Sequence, residues 1–417
     1  MIPKDKKKIL TAVLSLSLLT VMAGAAVAPA LGVIRAYFAD ADPTLVQMII
    51  SIPALFIVIT NLLFPKMAKK MSARTLVIVG LVFYTFGGCA AGLFSNIYAV
   101  LAARALVGVG VGMIMPLSTG LLAFYFDRKS QSKLMGYSSA MNQMGGVIAT
   151  LLSGLLAAIS WRASFLVYLM GLISLVLCLA FVPADNIHPG VQTDETSKAS
   201  KPSRASRTDA LQNKDAHKEK YGAFIAAMFF LMMTFFIYPA NFAMITAENG
   251  VIPQHLIAVI MAFMDLIAFG GGLLFARMHR KMGDKTRFVS PLLFIAGYGL
   301  LMAFRGYAGT IGGSALIGFA NGAGIPYIIS TVSMKAGKNA GTTVMPLISA
   351  ALYLAQFTTP VVTSAATTGL AYVGVAMSPF ALAAATGVLF LACSVKCVSS
   401  HCVETLTNED YEEEKTA

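Results

Sequence analysis

The chain has 417 residues, of which 57% are hydrophobic and 12% charged, with a net charge of +12. Soluble domains carry about 25% charged residues, so this balance excludes an ordinary water-soluble enzyme or binding module. The excess Lys and Arg lie in short breaks between apolar runs, which excludes a basic nucleic-acid-binding domain and makes the charge a signal of membrane topology.

Runs of roughly 20 apolar residues, enough to cross a ~30 Å hydrocarbon layer, recur along the whole chain. They predict twelve spans: 9–33, 44–65, 75–95, 97–125, 134–158 and 163–182, then 221–246, 254–277, 288–304, 309–333, 341–366 and 371–395. The amino terminus, with its KDKKK segment and small residues near Ala26 and Ala28, mimics a secretory signal. Its apolar run is too long for one, and it is read as span 1. The expected organisation is an amino-terminal six-helix bundle (1–183), a solvated linker (184–220), a carboxy-terminal six-helix bundle (221–395) and an acidic tail (396–417) ending in EDYEEEKTA.

The two halves repeat each other. LLFPKMAKKMSART (Leu62 to Thr75) returns as LLFARMHRKMGDKT (Leu273 to Thr286), and ALVGVGVGMIMP (Ala105 to Pro116) returns as ALIGFANGAGIP (Ala315 to Pro326). Gly108 and Gly318, Gly112 and Gly322, and Pro116 and Pro326 fall in one register, as expected of a duplicated membrane unit. Lys4 to Lys8, Lys66 to Arg74, Arg128 to Lys133, the linker, Arg277 to Arg287, Lys335 and Lys338 share one side, which the positive-inside rule makes cytoplasmic. Both termini are therefore expected in the cytoplasm of a cell-membrane protein.

Polar groups within the spans are the candidates for function, because each is costly in hydrocarbon. Asp265, in IMAFMDLIAFGGG, lies about twelve residues or ~18 Å from Arg277, near the midplane. An ionised carboxylate there costs several kcal/mol unless paired or hydrated, which suits a group that takes up and releases a proton; the alternative is a hydrogen-bonded acid at a helix interface. Arg104 in span 4 faces either a wet cavity or, alternatively, helix-end carbonyls. Asn61, Asn142, Gln143, Tyr238, Asn241, Asn321 and Gln356 lie at depths suited to substrate binding, with Gln143 and Gln356 at roughly equivalent places in the two repeats; singly, each also suits interhelical hydrogen bonding. Pro116, Pro239 and Pro326 interrupt helix hydrogen bonding and permit bending. Cys89, Cys178, Cys393, Cys397 and Cys402 fit no zinc framework. The histidines fall outside the span cores, and there is no GxxxxGK[ST] loop, so neither catalysis, a cofactor, a metal nor direct use of ATP is expected.

These residues also carry a resemblance. The stretch PKMAKKMSAR (Pro65 to Arg74), the Arg104, Gly108, Gly110, Gly112 series and the Trp161, Arg162, Phe165 signature resemble the major facilitator superfamily, over essentially all of 9–395 outside the linker. The resemblance implies a twelve-helix, all-α membrane fold of two six-helix bundles related by a pseudo-twofold, of the drug/proton antiporter type. It also implies an association of Arg104 with proton transfer or anion binding. The family's loop aspartate is replaced by Lys69, and by Arg280 in the repeat; Asp127 is the acid that would pair with Lys70 or Arg74 in gating, together with Gly108, Gly112, Pro116 and Pro326, and the alternative is that Lys66, Lys69, Lys70 and Arg74 are only inside-facing topology charges. Span 5, GYSSAMNQMGGVIATLLSGLL, lacks the Gly-Pro pair frequent in antiporters. The expected function is proton-coupled export of a small amphipathic or cationic organic compound by alternating access, with Asp265 and Arg104 as the coupling pair. The alternatives are proton-coupled uptake of a small organic anion, gripped by Arg104, or of another metabolite, and a regulatory protein that transports nothing. The expected partners are a small substrate, protons or another coupling ion, and the lipid bilayer, with the carrier acting as a monomer.

Overall fold

The structure, a computed structural model, describes residues 4–126, 128–183, 206–304, 306–372, 374 and 377–399. Among them every regular element is helical. The first half comprises α1 (Lys4–Ala25), α2 (Leu31–Tyr37), α3 (Pro43–Lys70), α4 (Ala73–Ala91), α5 (Ile97–Tyr125), α6 (Arg128–Ala157) and α7 (Met170–Phe181). The second comprises α8 (Ser206–Asn249), α9 (Gln254–Met282), α10 (Thr286–Ala303), α11 (Tyr307–Tyr372) and α12 (Pro379–Ser399). Ten stretches are long and apolar enough to cross a bilayer. One of them, Gln254–Ala303, is 50 residues long and contains both α9 and α10, and Pro379–Val395 is a shorter apolar helix. The set is consistent with twelve passes. Large apolar side chains such as Ile159 and Leu273 are 78% and 64% exposed, a pattern that is stable only where the surroundings are themselves apolar.

Local chemistry sets the helix ends. Asp42, Ser72 and Asn96 accept the backbone N–H of Thr44, Thr75 and Tyr98, capping α3, α4 and α5. Gly250 and Gly283 follow α8 and α9 with φ of 66° and 53°, positive values that glycine adopts without a Cβ penalty. The Trp-Arg signature also has a structural task. Arg162 donates to the carbonyls of Gly92 and Leu93 beyond α4, to Ser95 Oγ and to Tyr37 Oη, and stacks on Trp161. It thereby ties the same end of three passes together.

Several elements differ from the sequence-based spans, and span 12 begins at Pro379 rather than at 371. Span 1 is α1 and α2 joined by a 3-10 turn at Ala28–Ala30, because Pro29 has no N–H to continue the α ladder. Span 6 begins as a 3-10 helix, Ala163–Leu169, before α7. Spans 10 and 11 are one continuous helix of 66 residues; the segment MKAGKNAG between them contains Lys and Ala, good helix formers, and no proline before Pro346. The backbone is also helical from Ser206, so α8 begins inside the segment the sequence reads as linker.

The duplication is visible in the packing. A Cβ on Gly108 of α5 would stand 2.4 Å from the Pro53 carbonyl oxygen of α3, and one on Gly318 of α11 would stand 2.3 Å from the Met264 carbonyl oxygen of α9. One turn on, Gly112 approaches the Ile57 carbonyl and Gly322 the Ala268 carbonyl, at 3.2 and 1.9 Å. Pro53 and Met264, like Ile57 and Ala268, are separated by the same interval as Leu62 and Leu273. The repeated glycines thus allow the same close crossing of the same two helices in each half. Between the halves, α3 packs on α11, α6 on α9 and α2 on α8.

Candidate functional site

The two bundles enclose a cavity of about 260 Å³ at mid-height. Its wall comes from α1 (Thr20, Gly24), α3 (Pro53, Ala54), α6 (Gln143, Thr150), α8 (Phe235, Phe236), α9 (Met261, Asp265) and α11 (Asn321, Tyr353, Gln356), among others. Asp265 is the one acidic or basic side chain in this wall among the described residues. Its Oδ2 accepts a hydrogen bond from Thr150 Oγ1 at 3.1 Å, across the boundary between the halves. Asn321 offers a buried Oδ1 with no partner among the described residues. Tyr353 donates to Met115 Sδ, and Phe235, Phe236, Met232, Met261 and Met264 make the rest of the surface broad, apolar and polarisable.

Arg104 does not reach the cavity. It is fully buried, and its guanidinium donates to the Ile49 carbonyl at 2.8 Å, to the Ala23 carbonyl at 2.6 Å and to Tyr168 Oη. Both carbonyls lack a helical donor. Pro53 stands four residues after Ile49 and has no N–H to give it. At the end of α1 the Val27 N–H turns to Gly24 instead of Ala23, and Tyr168 Oη also donates to Ala23. The helix-end alternative read from the sequence therefore describes the geometry, and the cavity alternative does not.

The other sequence candidates divide by helix face. Gln143, Asn321 and Gln356 join Asp265 in the cavity. Asn142 lies just behind it, accepting from Thr20. Tyr238 points away, its hydroxyl bonded to Ser314 of α11. Asn241 accepts from Gln47 Nε2 at 2.8 Å, both side chains being buried. That pair belongs to a seal beside the cavity, together with Thr44 Oγ1 donating to Ser364 Oγ at 2.7 Å and Gln254 Nε2 donating to the Pro29 carbonyl at 3.0 Å. All three bonds lie at the helix ends away from the Lys66 to Arg74 loop. Next to the seal, outside the spans, the Thr44 hydroxyl and backbone N–H hold the Asp42 carboxyl below the usual carboxylate range. Asn61 is on α3 outside the cavity wall, with its Oδ1 buried and unpartnered among the described residues.

Of the gating candidates, Arg74 donates to the Leu179 carbonyl at 2.8 Å, joining the start of α4 to the end of α7, and Lys70 is exposed. Asp127 lies outside the described residues. Gly108 and Gly112 form the close crossing with α3, and Pro116 and Pro326 lie within α5 and α11. Sequence reasoning missed Thr20, Thr150 and Tyr353. Hydroxyl residues are frequent in membrane helices, and nothing in their spacing distinguishes these three.

Duplicated bundles around a central cavity, with one end sealed by side chains from both, define a polytopic membrane transport protein. The family model of the Major Facilitator Superfamily matches residues 13–360, and the chain belongs to that superfamily. Among curated relatives it is 22% identical over 140 residues to the riboflavin transporter RibZ of Clostridioides difficile, covering 33% of this chain and 31% of that protein. It is 27% identical over 116 residues to the quinolone resistance protein NorA of Staphylococcus aureus, covering 28% and 29%. The matched stretches therefore span under a third of these relatives. Among solved structures, the nucleoside transporter NupG (TM-score 0.71, 11% identity, 94% of this chain and 99% of that one) and a D-xylose-proton symporter (0.71, 14%, 94% and 97%) share the fold.

Proposed function

We propose that the protein is a secondary active transporter of the cell membrane, working by alternating access and exchanging protons for a small amphipathic or cationic organic compound that it exports. The observation that carries this reading is the charge of the cavity: one carboxylate, Asp265, and no basic side chain in the described wall. A cation or a proton satisfies that carboxylate, and each excludes the other, which is the logic of exchange. The Phe, Met and Tyr surface suits the apolar part of such a compound. The volume lies just below the roughly 300–1,000 Å³ usual for ligand sites. Sequence similarity to a quinolone resistance protein, and to a methylenomycin A resistance protein of Bacillus subtilis (25% identity over 103 residues), supports export.

Uptake of an organic anion gripped by Arg104 loses its support, because it needs that side chain in the cavity and its three described hydrogen bonds lie elsewhere. In this reading both termini are cytoplasmic and the seal at Thr44, Gln47 and Gln254 closes the outer end. The test is proton flux in proteoliposomes on adding tetraphenylphosphonium or benzoate, for the native chain and Asp265→Asn. Flux driven by the cation and abolished in the variant is expected. Flux driven by benzoate alone, or a variant equal to the native chain, overturns the reading.

A further inference from the structure

We infer that Thr150 is the positioning residue that turns the charge of Asp265 into a preference between conformations. This rests on the proposal that Asp265 carries the proton. The first observation is where the Thr150 hydroxyl goes. Several threonines elsewhere in these helices, Thr234, Thr331, Thr359, Thr363 and Thr367, donate to the carbonyl four residues earlier, whereas Thr20 and Thr44 donate to side chains of other helices. Thr150, 1% exposed and equally able to reach Gly146 in that way, donates instead across the boundary to Asp265. The hydroxyl therefore has two satisfied positions, one on each side of a change in Asp265.

The second observation is the place of this bond. One turn further along α6, a Cβ on Gly154 would fall 1.9 Å from the Ala258 Cβ of α9, so the two helices touch there. Thr150 and Asp265 face each other next to that contact, beside Gly146, whose Cβ would lie 4.0 Å from Asp265 Oδ2. A small rotation about the Gly154 crossing opens or closes the gap between them. Of the cross-bundle side-chain bonds described above, this one alone includes a carboxyl group. The other polar side chains in the wall with Asp265 are neutral: Thr20 on α1, Gln143 and Thr150 on α6, and Asn321, Tyr353 and Gln356 on α11; Tyr238 on α8 lies outside the wall with its phenol bonded to Ser314. No lysine, arginine, histidine or second carboxylate stands in the described wall.

A hydroxyl donates about twice as strongly to a carboxylate as to a neutral acceptor. Ionised Asp265 thus holds α6 against α9 in the conformation with the far end sealed. Protonation weakens the tie, and the Thr150 hydroxyl turns to Gly146. The seal supplies the reporter. In a full-length chain with its cysteines replaced by alanine, Thr44→Cys and Ser364→Cys are cross-linked with a short bifunctional reagent at pH 8 and pH 5. The expected yield falls several-fold on acidification, Thr150→Ser preserves the fall, and both Thr150→Val and Thr150→Ala abolish it while the purified variants stay monodisperse. A full pH response in either hydroxyl-free variant overturns the role of Thr150. A response that survives in Asp265→Asn, or none in the unsubstituted reporter, overturns the proton-carrying reading itself.

Discussion

The burial of Arg104 yields a coupling that can be measured. Its Nε occupies the Ile49 carbonyl because Pro53 cannot, so the two residues are energetically linked although they are not bonded to each other. Replacing Arg104 by Met keeps the length and apolar stem but leaves the Ile49 oxygen buried with no donor, a loss of about 1–3 kcal/mol. The Ala23 oxygen keeps Tyr168 Oη and loses less. Removing the guanidinium also returns its desolvation cost, which acts in the opposite direction, so the single variant does not isolate the effect. The double variant does. Pro53→Ala restores an N–H to the helix ladder at the oxygen that Arg104 had satisfied, and the cost of Arg104→Met should fall by about 1–3 kcal/mol in that background. The assay is SDS-driven unfolding in mixed lipid micelles, followed by far-ultraviolet circular dichroism on all four members of the cycle. Additivity within about 0.5 kcal/mol would refute the reasoning. So would an Arg104→Met chain that unfolds like the native one yet carries no substrate-driven proton flux, since that result would return the arginine to the transport chemistry.

Other outcomes follow from particular contacts. Gly322→Ala drives a Cβ to 1.9 Å from the Ala268 oxygen and should cost about 1–3 kcal/mol in the same unfolding assay, whereas Gly222→Ala, at an open position, should cost nothing measurable. Tyr168→Phe removes a hydrogen bond to Ala23 and the acceptor of one Arg104 N–H and should cost about 1–3 kcal/mol, with transport per folded molecule retained. Asp42→Ala uncaps α3 and should cost about 1 kcal/mol at neutral pH. Because the carboxyl of Asp42 titrates lower in the folded chain than in the unfolded one, its contribution is present above about pH 4 and lost as the pH falls below it. The native and variant stabilities should therefore converge in acid, and an undiminished difference at pH 2 would show that the ionised form of the carboxyl does not carry the contribution of the cap. Gln47→Leu leaves Asn241 without its cross-bundle donor and should increase labelling from the sealed side of a cysteine placed at Ala54; unchanged labelling would remove this pair from the seal.

The fold was legible because close helix crossings in lipid tolerate almost nothing but glycine, and so Gly108, Gly112, Gly318 and Gly322 stand in a register that survives in the sequence after most neighbouring residues have diverged. Asp265 was legible for a similar reason, as an acid within an apolar run. What depth along a helix could not reveal was azimuth. Tyr238 and Asn241 sit at suitable heights, yet one turns to Ser314 and the other to Gln47, while Gln143 and Gln356 turn inward. The fate of Arg104 was half visible. Pro53 announces an orphaned carbonyl at Ile49, but which side chain fills it depends on how α5 crosses α3. Thr150 was invisible, because a threonine in a membrane helix ordinarily satisfies itself, and only the placement of α9 shows that this one does not.

The duplication is not symmetric in charge. The interval that relates Leu62 to Leu273 relates Ala54 to Asp265, and both of these face the cavity. If the halves exchange roles during a transport cycle, the ionisable group is carried by one moving body and confronted by an uncharged methyl at the mirrored place on the other. The two half-cycles then cross unequal barriers, even though the gradients alone fix where the cycle comes to rest. An aspartate moved from 265 to 54 would leave the composition of the cavity unchanged and invert that inequality, making the kinetics of inward and outward steps, measured separately, a record of which ancestral copy kept the charge.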